Sequence, residues 1–166
     1  MHLQAPSLRH RLALALVDLG KRYRLGSAFF TTDFEAEALI QSDPFAFLLG
    51  LIFDQSVDAE KAWRAPFGLR GRLGTLDPEW IGNNEKRVTA AIGRRPSLHR
   101  FTNTMGRWIS SAGREVVSRF GGNAARIWND EPTAVELQDR LHGFLGIGQK
   151  KAAMAVEILE RQFGVV

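Results

Sequence analysis

The sequence predicts an all-α fold, and three observations predict it. Apolar residues recur at helical spacing along most of the chain. No segment shows the strict alternation of a half-buried strand. Helix-start signals and glycine stops punctuate the chain at short intervals, with no linker, low-complexity stretch or internal repeat between them.

The elements follow in order. Leu8, Leu12, Ala15, Leu16 and Leu19 mark one helix over 7–25, which Gly26 stops. Residues 27–33 are ambiguous, and "FEAEALIQ" reads as a short helix ended by Ser42. In "DPFAFLLGLIFDQ" Asp43 caps and Pro44 takes the first turn, where its missing N–H costs nothing. That segment is apolar all round, which predicts burial on every side. Another helix starts at Asp58 and is disturbed at Pro66. "LDPEWIG" and "NEKRVTAAIG" give two short helices, and Pro96 opens the loop "RRPSLHRFTNT". A long helix follows, with Met105, Trp108, Ile109, Ala112, Val116 and Phe120 on one stripe and "FGGN" as its stop. "NAARIW" is a short turn. Thr133 and Glu136 have capping-box spacing in front of "AVELQDRLHGF". The last helix starts near Gly148, with Ala152, Val156, Leu159 and Phe163 on its core face.

The chain has 166 residues, a net charge of +4 and no cysteine. The last of these excludes disulfides, thiol catalysis and cysteine-ligated zinc or iron–sulfur clusters within these residues. The pI of about 10.0 and the arginine clusters "RHR", "KRYR", "LRGR", "RR" and "LHR" favour a polyanionic partner. The N-terminal "LALALV" is too short for a membrane span or a signal peptide, so the expectation is a cytoplasmic protein with no membrane partner. His2, His10, His99 and His142 are too scattered for a local metal-ligand set, and no phosphate-binding loop or hydrolase serine turn occurs.

The informative stretch is "HGFLGIGQKKAA", residues 142–153. One helix ends around Phe144 and the next begins around Gly148, so the chain reverses through Leu145, Gly146, Ile147 and Gly148. Either the glycines serve only the tight turn, or they also bare the main chain to a ligand. In the second case the unpaired N–H groups and dipole of the second helix's start receive one anionic oxygen, such as a nucleic-acid phosphate. Leu141 and Leu145 precede the turn at helical spacing, Ile147 can plug it into the core, and Ala152 and Ala153 permit close packing. Lys150 and Lys151 read, from the residues alone, as phosphate-contacting or solvated charges.

"LHGFLGIGQKKAA" and, upstream, "DPFAFLLGLIFDQSVDAEKAW" together resemble two anchors of the endonuclease III-like, helix-hairpin-helix base-excision DNA glycosylases. The resemblance covers about 43–166, with the hairpin at about 134–163; residues 1–42 would be an N-terminal helical segment packing on that core. It implies a glycosylase with AP lyase activity that binds damaged or abasic double-stranded DNA and flips a base, as a nucleoid-associated monomer. Lys150 falls on the family's nucleophile, whose amine attacks C1′ and forms a Schiff base. Gln55 falls on the glutamine that fills the vacated stack, and Asp58 on a structural N-cap. Arg100 and Phe101 align with a loop that wedges the opposite strand. Leu145, Gly146, Ile147, Gly148, Gln149 and Lys151 are the hairpin's DNA contacts. The implied cofactors are none within this chain, apart from a monovalent cation at the hairpin; an iron–sulfur cluster would need residues beyond Val166. The family's catalytic aspartate has no counterpart, since no aspartate follows Asp139, and Glu157 and Glu160 lie along the helix away from the turn. The ending "RQFGVV" therefore reads as a truncation, which leaves enzymatic status open. The alternatives are a non-catalytic helix-hairpin-helix DNA-binding domain, and a helical scaffold with no nucleic-acid role.

Overall fold

The computed structural model describes residues 30–165, which are all-helical with no strand among them. The helix expected over 7–25 lies outside them. The elements are α1 (Phe34–Ser42), α2 (Pro44–Phe53), α3 (Ala59–Leu73), α4 (Pro78–Asn83), α5 (Glu85–Gly93), α6 (Thr102–Phe120), a 3-10 turn (Ala124–Ile127), α7 (Ala134–His142) and α8 (Gln149–Phe163).

Short polar signals place most helix starts. The Asp33 carboxylate accepts from the N–H groups of Glu35 and Ala36, and that of Asp43 from Phe45 and Ala46. Pro44 occupies the first turn of α2. Thr133 and Glu136 form the complete capping box of α7, a device that contributes about 1 kcal/mol. Asp58 stands at the N-cap of α3, but its side chain makes no capping bond.

The axis of the fold is α2. Every residue from Phe45 to Phe53 is buried, as its all-round apolar sequence predicts. Helices α1, α3, α6 and the 3-10 turn pack around it. Phe47 lies at the centre of a ring cluster, edge-on to Trp128 and Phe163 at 5.8 Å each and tilted against Trp63 at 5.7 Å. Phe163 thereby ties the end of α8 to the centre of the core. The long helix α6 carries α4 and α5 on one side, where Gly82 and Gly113 let two backbones approach too closely for any side chain. No single helix among the described residues is long and apolar enough to cross a membrane.

Three expectations need correction. Helix α3 runs unbroken through Pro66; Ala62, Trp63, Ala65, Pro66 and Leu69 are all buried, and that packing outweighs the lost backbone bond. Helix α7 ends at His142, two residues before the expected Phe144, so the turn spans 143–148. Leu145 does not pack against the turn but stands 49% exposed, while Leu141, Phe144 and Ile147 are buried.

Candidate nucleic-acid interface

The 143–148 turn is built from within. Phe144 N–H donates to Leu141 O and Ile147 N–H to Phe144 O, each at 3.2 Å. The Nδ1 of His142 reaches Ile147 O at 3.1 Å; a carbonyl only accepts, so Nδ1 carries the hydrogen there. Across the pair of helices, Gln138 Nε2 donates to Gln149 Oε1 at 3.2 Å.

The two glycines do different work. Gly146 has φ +86°, and a Cβ there would lie 2.5 Å from the Trp108 ring of α6. It serves backbone conformation and close packing. Gly148 has φ −78° and ψ 176°, which any residue adopts, and a Cβ there would meet nothing within 4 Å. Its side faces open space. Gly148 is also the N-cap of α8 and offers no side-chain acceptor, so the N–H groups of Gln149, Lys150 and Lys151 have no partner within the described residues.

Of the two lysines, Lys151 is the one drawn inward. Its Nζ donates to Gly146 O at 2.9 Å and to Gln55 Oε1 at 3.5 Å. Burial lowers its pKa, opposed by the nearby Asp54 carboxylate. Lys150 stands exposed at the helix start.

Gln55 follows the end of α2 and is joined to a second loop by His99, which is fully buried. Phe101 N–H donates to His99 Nδ1 at 3.0 Å, so Nε2 bears the ring hydrogen and donates to Gln55 O at 3.1 Å. Burial lowers the pKa of His99 foremost, with the charges of Lys61 and Arg100 acting the same way against the Gln55 carbonyl. The neutral ring therefore holds both loops at neutral pH. Beyond it, Phe101 is 45% exposed, and the Arg100 guanidinium lies over its ring at 4.8 Å. Phe101 is thus not folded back into the core.

Gln55, the Arg100–Phe101 pair and the turn, which are distant in sequence, are therefore linked by one chain of contacts: Gly146, Lys151, Gln55, His99, Phe101. Lys61, Arg100 and Lys151 lie around it, against Asp54. Sequence reading missed His99 as the joint and Lys61 as a basic neighbour. The signal available was "LHRF", in which the histidine adjoins both wedge candidates. Glu157 is paired with Arg161 at 3.2 Å along the outside of α8. No group of three or more metal-ligating side chains occurs among the described residues. Comparison with family models, with curated proteins and with solved structures gives no match.

Proposed function

We propose that this chain binds damaged or abasic duplex DNA through the 143–148 turn, in the manner of the helix-hairpin-helix base-excision glycosylases it resembles. The observation that carries the reading is the contact between Lys151 and Gln55, 3.5 Å, which joins the turn to the residue proposed to enter the duplex. The free amides of Gln149–Lys151 take a phosphate oxygen, a contact without sequence information. Gln55 fills the space of the flipped nucleotide, and Phe101 with Arg100 wedges the opposite strand.

A lysine must be neutral to attack carbon. Lys150 holds the position that the resemblance marks. Lys151 better meets the chemical need, because its amine is half-buried beside Gln55 and burial favours its neutral form. At an abasic site the Lys151 amine adds to the C1′ aldehyde, water leaves, and an imine forms between Nζ and C1′. Borohydride then delivers a hydride to that carbon and fixes the adduct as a secondary amine.

The second reading is a non-catalytic module that only grips the backbone. What favours it is the bond from Lys151 to Gly146 O, which gives that amine a structural task. Borohydride trapping on an abasic duplex separates the two. The expected result is a covalent adduct that persists in Lys150→Ala and disappears in Lys151→Ala. Salt-sensitive binding with no adduct from the parent chain supports the module instead. Binding insensitive to salt, or none, leaves only the scaffold.

A further inference from the structure

Two arginine clusters, "LRGR" and "RR", have no part in the interface above, yet the fold brings them together. Arg72 from the end of α3 and Arg94 at the end of α5 line an open groove with Arg87, Trp80 and Thr75. Arg72 is fixed in place: its guanidinium donates to Ala91 O at 2.7 Å, Arg94 O at 2.8 Å and Pro96 O at 2.6 Å. Arg87 lies over the Trp80 ring at 5.6 Å. No carboxylate lines the groove, and none of the three arginines is in an ion pair among the described residues. Burial and then the neighbouring Arg94 charge lower the pKa of Arg72, as expected where like charges gather without a counter-ion. An anion relieves that repulsion.

The layout favours an extended anion over a compact one. Arg87 on α5 and Arg94 at its C-cap are about two turns apart, about 10 Å, a spacing that lets the two guanidiniums contact separate phosphates of one strand. The Arg94 end of the groove leads through the 94–101 loop to Arg100 and Phe101.

We propose that this groove holds the sugar-phosphate backbone of the DNA where it continues past the Arg100–Phe101 loop, a footprint that rests on the DNA-binding reading above. Arg87 and Arg94 contact phosphates, and Arg72 adds charge while bracing the loop.

The test is the double variant Arg87→Ala/Arg94→Ala, both exposed positions, with thermal melting as the folding control. Binding is measured between 50 and 200 mM salt on a minimal duplex and on one extended at both ends by about six base pairs, about 20 Å. The parent should prefer the longer duplex, and the variant should lose that preference. Its salt slope on the longer duplex should fall by about two, so that its deficit relative to the parent shrinks about tenfold across that range. A parental slope and length preference in the variant overturn the inference. So does a mononucleotide that binds the parent but not the variant while duplex length has no effect, which makes the groove a small-anion site. If the double variant matches the parent while a charge placed at Gly148 weakens binding, only the groove assignment falls. If the parent binds no duplex at all, the DNA-binding reading falls with it.

Discussion

Gly148→Asp should raise the thermal stability of the chain and weaken its binding to duplex DNA by about a hundredfold or more. The two effects have opposite signs because they act on the same three amides. At residue 148 the backbone is extended and the space beside it is empty, so an aspartate fits without strain. Aspartate is among the best N-cap residues, and its carboxylate would accept from the free N–H groups of the first turn of α8. Because glycine is itself a tolerable N-cap, the aspartate contributes only about 0.3 kcal/mol, or a rise of about 1 °C in melting temperature for a chain of this size. The same carboxylate occupies the amides that are proposed to receive the phosphate, and it adds a negative charge in front of them. A loss of about 3 kcal/mol in binding corresponds to about a hundredfold. Calorimetry and fluorescence anisotropy on the one variant check both signs.

Gly146→Ala should do the reverse, damaging the fold before any question of ligand arises. A side chain at φ +86° costs about 1–3 kcal/mol in backbone strain. Its Cβ would also sit 2.5 Å from Trp108, and overpacking of that kind costs about 1–3 kcal/mol more. The total, about 2–6 kcal/mol, lowers the melting temperature by about 5–20 °C. A second change separates the two terms. Trp108→Ala removes the ring, so the double variant should regain the packing part and retain the backbone part, a non-additivity readable in a double-mutant cycle. Purely additive losses would mean that the ring does not restrain residue 146. For this reason a joint replacement of both glycines says little about ligand binding, whereas Gly148 alone says much.

Much of this fold was legible because its signals are local. Asp43 with Pro44, Thr133 with Glu136, and the glycines after α6 and α8 each specify a helix end within a few residues. The burial of α2 followed from its composition alone. What escaped depends on tertiary contact. Pro66 reads as a break, but the buried face of α3 carries the helix through it. Leu145 has the spacing of a core residue, yet the early end of α7 turns it outward. Lys150 and Lys151 differ by about 100° around the helix, and only the packing of α8 decides which amine meets Gln55. The two glycines look alike in sequence; Trp108 stands against Gly146 and nothing stands against Gly148. His99 was one of four scattered histidines until two loops closed on it from both sides.

The most direct measurement is a titration of the isotopically labelled chain with short duplex DNA, read at the backbone amides. The account predicts that the N–H signals of Gln149, Lys150 and Lys151 shift downfield together, with those of Gln55 and Phe101 also perturbed, and that added salt reverses the shifts. If duplex DNA moves other amides while those of 149–151 stay where they are, the turn is not the contact and the account is wrong.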